Sequence, residues 1–257
     1  MEVINGQWYM SGLDYDDPDR IKSSDELLKV IDRVGFLPLF ENEVPGFSVE
    51  NMTAASDWWC GDADVDPWEW RMVLARTGKV AYGKFFGKKA GFVSKKWFPL
   101  FANYRRDGYD FDSRYEDGKA GYREKLIMDL MWPDSEICEV EPKTVKKLVT
   151  TPALFSYEIK DKAGFGKGGE KNFEGTCSKL QMESYLIARD FKPRLNKSGE
   201  GYGWPIALYT LPEYLWGYRF VTSCYREDPA DSYAKIISQI MKNFDATEAQ
   251  VRKVLKR

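Results

Sequence analysis

The second half of the chain carries the pattern that most constrains its fold. Helical spacing and Pro or Gly breaks predict four helices, over Tyr122 to Met131, Pro142 to Val149, Phe155 to Ala163 and Glu170 to Tyr185. YLIARDF and WPIALYTLPE then predict two strands around the loop PRLNKSGEGYG. Helices that lead into a longer helix and a two-stranded hairpin follow the winged-helix order.

The first half shows the same kinds of element. Ser23 begins a capping box, and the helix that it opens is predicted to end near Gly35. Asp66-Pro67 begins a second helix, which Gly78 ends, and KVAYGKFF and FVSKKWF predict a hairpin. We therefore expect an α+β, mainly helical fold made of tandem winged-helix modules with short β-hairpin wings.

The polar, Gly-rich stretch RRDGYDFDSRYEDGKAG marks the predicted boundary between the modules. Residues 1–106 are predicted to form an N-terminal winged-helix-like module with a Trp- and Asp-rich loop. Residues 107–121 form a linker, and residues 122–257 form a C-terminal winged-helix module. This second module ends in a helical tail, with helices that start at Asp228-Pro229 and at Thr247.

Composition excludes several kinds of chemistry. The chain has no histidine, which excludes histidine triads, histidine zinc sites and imidazole acid-base catalysis. Its four cysteines stand far apart, as is typical of free thiols in a reducing cytosol, and no apolar run is long enough for a membrane span. We expect a cytoplasmic protein without a cofactor or a metal, and no interaction with a membrane.

The segment DWWCGDADVDPWEW has two interpretations. Its tryptophans, Trp58, Trp59, Trp68 and Trp70, form either the aromatic wall of a pocket or a hydrophobic seam between modules. In a pocket, Asp57, Asp62 or Glu69 could act as general acid or base, so these three residues are the catalytic candidates. The Asp62-Asp64-Asp66 spacing is like the start of a calcium loop, but Pro67 stands where the loop glycine is needed.

The helix predicted from Glu170 and the hairpin after it supply candidate nucleic-acid contacts. On the helix, Lys171, Asn172, Ser178 and Lys179 lie away from the apolar face, where they either read bases or are simply solvated. The preceding GFGKGGEKN forms either a tight turn or, through Lys167 and backbone N–H groups, a phosphate contact. In the hairpin loop, Arg194 and Lys197 are expected to meet phosphates.

Two stretches resemble the AlkZ (YcaQ-like) family of winged-helix DNA glycosylases. YGKFFGKKAGFVSKKWFPLFANYRR is similar to the family segment with a small-residue turn and Trp-Pro before an arginine-bearing helix. KNFEGTCSKLQMESYLIARDF followed by LYTLPE resembles its last winged helix, and Tyr209, Leu211 and Glu213 match its Tyr-x-Leu-x-Glu pattern. The resemblance implies tandem winged helices around DNA and the removal of alkylated or cross-linked bases.

The chain departs from this family at its catalytic motif. The family has Gln-apolar-Gln or Gln-apolar-Asp after the first helix's glycine, whereas this chain reads Phe36-Leu37-Pro38-Leu39-Phe40 after Gly35. The family's histidine falls near Gly87. We therefore expect an AlkZ-related protein that binds DNA and is linked to DNA repair, without this glycosylase motif. The alternatives are a hydrolase or glycosylase that uses Asp or Glu in a Trp-rich pocket, and a protein-interaction module that no longer binds DNA.

Overall fold

A computed structural model describes residues 2–4, 7–132, 152–196 and 198–256. The described helices are α1 (Ser24–Val34), α2 (Pro67–Thr77), α3 (Phe98–Arg106), α4 (Phe111–Glu116), α5 (Tyr122–Met131), α6 (Ser156–Lys162), α7 (Phe173–Met182), α8 (Pro212–Trp216), α9 (Tyr218–Val221), α10 (Pro229–Asn243) and α11 (Glu248–Val254). The described strands are β1 (Glu2–Ile4), β2 (Gln7–Tyr9), β3 (Phe36–Pro38), β4 (Val80–Phe86), β5 (Lys89–Ser94), β6 (Leu154–Phe155), β7 (Ile187–Leu195) and β8 (Gly201–Thr210).

The ends of the first two long helices lie where capping chemistry predicts them. The Ser23 side chain accepts a hydrogen bond from the Glu26 backbone N–H, and the Asp66 side chain accepts one from the Trp68 N–H. These acceptors satisfy N–H groups that have no partner within the helix. Gly35 and Gly78 end the helices with φ values of 88° and 66°, which favour a residue without Cβ. The predicted ends of α1 and α2 are therefore confirmed.

Six strands form one antiparallel sheet in the order β3-β5-β4-β7-β8-β6. Both predicted hairpins, β4–β5 and β7–β8, are confirmed, and they meet at the pair Tyr82 and Ala188. In the first half β3 adds to the hairpin beside β5, and in the second half β6 adds beside β8. The sheet therefore joins two three-stranded units of mirrored strand order.

One helix of each unit packs across the join. Helix α2 contacts β7, and Arg76 Nε donates to Asp190 Oδ1 at 2.5 Å. Helix α7 contacts β4 in the same way: Lys84 Nζ donates to Ser178 Oγ, and the Lys84 N–H donates to Gln181 Oε1, both at 3.1 Å. Each unit thus covers a strand of the other, so the two halves bury part of each other's surface.

The buried apolar side chains form two cores. The first contains residues from α1 to α3 and β3 to β5, together with Ile187 and Ala188 of β7. Helices α10 and α11 also pack into this first core, through side chains such as Ile236, Ile240 and Val251, which are fully buried. The second core is made by α4 to α7 with Leu186 and Leu211. Fully burying each aliphatic side chain stabilises such a core by about 1.5–3 kcal/mol.

Three local predictions differ from the structure. The helix predicted from Glu170 to Tyr185 spans only Phe173–Met182, because Asn172 and Ser184 adopt left-handed φ values of 65° and 62° at its two ends. Helix α4 lies inside the predicted linker, and α8 and α9 directly follow β8. The predicted helix from Pro142 to Val149 lies outside the described residues. Within the described ranges, no helix is both long and apolar enough to cross a membrane.

Candidate nucleic-acid interface

The β7–β8 hairpin presents basic and aromatic side chains to solvent near its turn. Asn196 holds the turn, because its Oδ1 accepts hydrogen bonds from the N–H groups of Ser198 and Glu200 at 2.9 and 3.0 Å. Arg194 is exposed, and 52% of Tyr202 and 78% of Trp204 are accessible. Contiguous exposed apolar surface rimmed by polar side chains is typical of a binding site. The second predicted hairpin residue, Lys197, lies outside the described residues.

The hairpin contacts helix α6, which carries the surface onward. The Arg194 guanidinium lies 5.3 Å from the centre of the Tyr157 ring, and that ring stacks on Phe155 at 5.1 Å. Lys160 follows Tyr157 by three residues on α6, so the two side chains lie on neighbouring positions of one helix face. Arg194 and Lys160 therefore belong to one continuous surface.

The glycine-rich loop between α6 and α7 extends this surface. The loop folds back on itself, because the Glu170 N–H donates to the Gly164 carbonyl and the Gly166 N–H donates to the Glu170 carbonyl. Lys160, Lys171 and Asn172 line a cleft of about 380 Å³ beside it. The same cleft is lined by Glu170 and Glu174, but Glu170 is paired with Arg123 at 2.7 Å.

The predicted contacts of this region fall into two groups. Lys167, Lys171, Asn172 and Arg194 are exposed. Lys179 is also exposed, but its ammonium group forms a salt bridge with Glu124 at 2.9 Å, so its charge is already compensated. We define the basic face as the exposed side chains that the hairpin, α6 and the glycine loop bring together: Lys160, Lys167, Lys171, Asn172, Arg194, Tyr202 and Trp204.

The predicted position of Ser178 on the solvent side of α7 is wrong. Only 7% of Ser178 is accessible, and its hydroxyl accepts a hydrogen bond from Lys84. The reason is tertiary: β4 of the other unit covers this side of α7, so the helix is buried on two faces instead of one. A groove-reading helix needs one long free face. Here only the N-terminal end of α7 and a narrow strip with Glu174 and Lys179 remain open.

The four tryptophans of the Trp- and Asp-rich segment differ in their surroundings. Trp70 is fully buried, and the Trp58 indole donates to Thr53 Oγ1 at 2.9 Å. The Arg71 guanidinium carbon lies 3.8 Å from the centre of the Trp68 ring, whereas Trp59 is 43% exposed. Trp58 and Trp70 therefore pack in the first core.

The three candidate catalytic carboxylates make separate contacts. Asp57 is buried and bonded to Arg20 at 2.9 Å, and exposed Asp62 accepts a hydrogen bond from the Asp64 N–H. Glu69 is half-buried on α2. The residue that organises the segment is Asp66, whose side chain accepts hydrogen bonds from the N–H groups of Trp59, Gly61 and Trp68. This network fixes the loop and begins α2.

The segment at the position of the family's glutamine motif is a buried strand. Phe36, Leu37 and Leu39 are fully buried, and β3 is bonded to β5 along Phe36, Leu37 and Pro38. These apolar side chains fill the first core. They offer no carboxamide or carboxylate to position a water molecule.

A second concave site escaped sequence reasoning. A cavity of about 610 Å³ is lined by Arg106, Asp110, Phe111, Asp112, Tyr115, Glu116, Lys125, Met128, Asp129, Trp132, Tyr185, Glu213 and Tyr218. The lining residues come from α3, α4, α5, α8 and α9, and from the segments around Asp110 and Tyr185. No short motif joins positions so far apart in the chain. The only sequence signal was the density of Tyr and Asp between residues 109 and 117.

A buried ion pair lies against this cavity. Arg106 Nη1 donates to Glu213 Oε1 at 2.5 Å and to the Tyr225 hydroxyl at 2.9 Å, and Nη2 donates to the Ser184 carbonyl. Burial disfavours the charged guanidinium, but Glu213 and the two neighbouring tyrosines outweigh this effect and raise the pKa of Arg106. Burial raises the pKa of Tyr225 to about 12. Arg106 therefore stays charged and Tyr225 stays protonated at neutral pH.

Comparison with known protein families supports the resemblance noted in the sequence. A family model described as AlkZ related matches residues 21–256. No curated protein and no solved structure matches the chain. Because the matched residues cover nearly the whole sequence, the chain belongs to the AlkZ-related family.

Proposed function

We propose that this chain is a DNA-binding protein of the AlkZ-related family with a role linked to DNA repair. The observation that carries this proposal is the basic face, where Arg194, Lys160 and Lys171 lie along one surface with exposed Tyr202, and exposed Trp204 follows two residues later on β8. Lysine and arginine bind phosphates, and exposed rings stack on bases. A surface with both groups suits a nucleic acid better than either group alone.

The proposed architecture is a pair of winged-helix modules. The first unit runs α1, β3, α2, β4, β5, and the second runs α5, β6, α6, α7, β7, β8, each with its first strand beside its last. This arrangement, together with the family membership, supports two modules separated within residues 107–121. Helices α10 and α11 then extend the second module along the chain but pack on the first.

The mode of DNA binding differs from insertion of α7 along the major groove. Because β4 covers Ser178 and Gln181, the proposed contacts are the hairpin, α6 and the start of α7. Arg194, Lys160, Lys167 and Lys171 would meet phosphates, which fixes position without reading sequence. Trp204 would stack on a base at an unpaired or distorted site. Binding is therefore proposed without the glutamine chemistry, whose motif is replaced by buried apolar residues.

Fluorescence anisotropy with a labelled duplex and with the same duplex carrying an unpaired bulge tests this function. At low salt we expect binding that weakens steeply as salt rises. Lys171→Ala combined with Arg194→Ala should weaken binding by roughly tenfold and lower the slope of log K against log salt by about 2. Trp204→Ala should weaken binding to the bulged duplex more than to the regular one.

The matched control is Lys29→Ala combined with Lys253→Ala, two exposed lysines on α1 and α11. It removes the same charge and should leave binding nearly unchanged. The absence of binding at low salt would refute the proposal. Equal losses in the two double variants would show that net charge, not the basic face, determines affinity. A protein partner that needs Trp204 while DNA binding is absent would instead favour an interaction module.

A further inference from the structure

The cavity beside Arg106 combines several aromatic surfaces. Trp132 and Tyr218 meet edge to face with their ring centres 6.4 Å apart, and Phe111 and Tyr185 do so at 5.4 Å. All four residues line the cavity, together with Tyr115. Aromatic faces carry negative electrostatic potential and attract flat or cationic groups. None of its lining residues belongs to the basic face.

The charged residues of the cavity are unbalanced. Five carboxylates and two cations line it, and the cations are engaged: Lys125 with Asp129 at 2.7 Å and Arg106 with Glu213 at 2.5 Å. In the described ranges, no salt bridge matches the other three carboxylates, which are Asp110, Asp112 and Glu116. Asp110 accepts a hydrogen bond from the Tyr218 hydroxyl at 2.6 Å, a neutral partner that leaves its charge in place. The cavity is thus electronegative.

One contact within the chain already pairs a cation with a ring and a carboxylate of this cavity. The Lys125 ammonium lies 5.2 Å from the centre of the Tyr115 ring while it is bonded to Asp129. A ring and a carboxylate therefore hold one positive group between them at the edge of the cavity. This is the recognition that aromatic cages offer to organic cations.

Arg106, which lines the cavity, has a buried hydrogen-bond donor without a partner in the described part of the chain. Arg106 is 1% exposed, and its Nε is a buried donor that has no hydrogen-bond partner among the described residues. A buried donor without an acceptor costs about 1–3 kcal/mol, so an acceptor from a bound molecule would be stabilising there. Arg106 lines the cavity, but less than 1 Å² of Nε is accessible, so a bound molecule reaches this donor only when the side chains that cover it shift.

We propose that this cavity is a binding site for a planar organic cation that carries a hydrogen-bond acceptor. The rings of Tyr115, Trp132 and Tyr218 would contact its faces, and Asp110, Asp112 and Glu116 would compensate its charge. The Arg106 guanidinium would face the acceptor. Neutral molecules of the same shape bind more weakly, because they gain the ring contacts without the charge compensation, and anions are excluded.

Isothermal titration with 1-methylnicotinamide and nicotinamide tests this site on the full chain without DNA. The two molecules share a flat ring and a carbonyl acceptor and differ in charge. For a ligand of this size a Kd of about 1 mM is expected for the cation, with nicotinamide at least tenfold weaker. Asp112→Asn combined with Glu116→Gln should weaken binding of the cation by roughly tenfold and leave the affinity for nicotinamide unchanged.

Two further variants make the result specific. Asp64→Asn combined with Asp245→Asn removes the same charge at exposed positions outside the cavity and should not change cation binding. Tyr115→Leu keeps an apolar side chain but removes the aromatic ring. It should weaken binding of the cation more than binding of nicotinamide. Equal affinity for the two molecules, an unchanged Asp112/Glu116 double variant, or no cation binding at millimolar concentration would each overturn the proposal. The DNA affinity of these variants should be that of the wild type, which keeps the two sites distinguishable.

Discussion

The buried pair of Arg106 and Glu213 allows a quantitative prediction of stability. The two side chains are 1% and 3% exposed and are bonded at 2.5 Å. Glu213→Ala would leave the guanidinium buried with only neutral acceptors, the Tyr225 hydroxyl and the Ser184 carbonyl. Removing one partner of such a pair costs about 3–5 kcal/mol. For a chain of this size, that loss lowers the Tm by roughly 10 °C.

Urea denaturation followed by tryptophan fluorescence measures this loss, with calorimetry for the Tm. Glu213→Gln keeps a hydrogen-bond acceptor, so it should lower the free energy of unfolding less than Glu213→Ala does, because only the charge is removed. The matched control is Glu248→Ala, whose partner Arg252 is an exposed neighbour on α11. An exposed pair of this kind contributes under about 1 kcal/mol. If Glu213→Ala costs no more than Glu248→Ala, the buried pair does not stabilise the fold more than an exposed pair does.

Further predictions concern the core and the thiols. Trp216→Phe should cost about 1–2 kcal/mol in urea denaturation, because the buried indole donates to the Gly78 carbonyl at 2.7 Å; a neutral result would contradict that role. Gly91→Ala should cost about 1–3 kcal/mol in the same assay, since a Cβ there would lie 2.7 Å from the Leu37 carbonyl oxygen; wild-type stability would show that β3 yields easily. Burial raises the pKa of Cys177 to about 12. The free energy of unfolding should therefore be unaffected by this thiol below about pH 9, and it should fall as the pH rises from about 9 towards 12, because the unfolded chain loses the thiol proton first. Peptide mapping after alkylation at pH 8 should therefore find exposed Cys60 labelled and Cys177 protected until the chain unfolds, and early labelling of Cys177 would contradict its burial.

Local chemistry predicted the elements that depend on neighbouring residues. Ser23, Asp66 and Gly78 each act within a few residues of their own position, so capping and turn preferences located α1 and α2. Both hairpins followed from alternating apolar residues around glycine-bearing turns. Sequence reasoning failed where a distant partner decides the outcome. Ser178 is polar and lies opposite the apolar face of α7, yet β4, nearly a hundred residues earlier, buries it.

The candidate sites show the same limit. Arg194 and Lys171 were identified by residue type and by their place in a hairpin and at a helix start. Their alignment with Lys160 required the contact between Arg194 and Tyr157. The cavity beside Arg106 was not predicted, because its walls come from segments separated by more than a hundred residues. Side chains that converge from such distances leave no local spacing to recognise.

The packing of α10 and α11 on the first core also affects how the chain folds during synthesis. That core contains residues from Ile21 to Phe101 and is completed by Ile236, Ile240, Val251 and Leu255. Domains generally fold as they emerge from the ribosome, at about 5–20 residues per second. Here the first core keeps an uncovered apolar surface until residue 255 has been released, roughly ten seconds after α3. The nascent N-terminal half is therefore the stage at which chaperone binding or aggregation competes with folding.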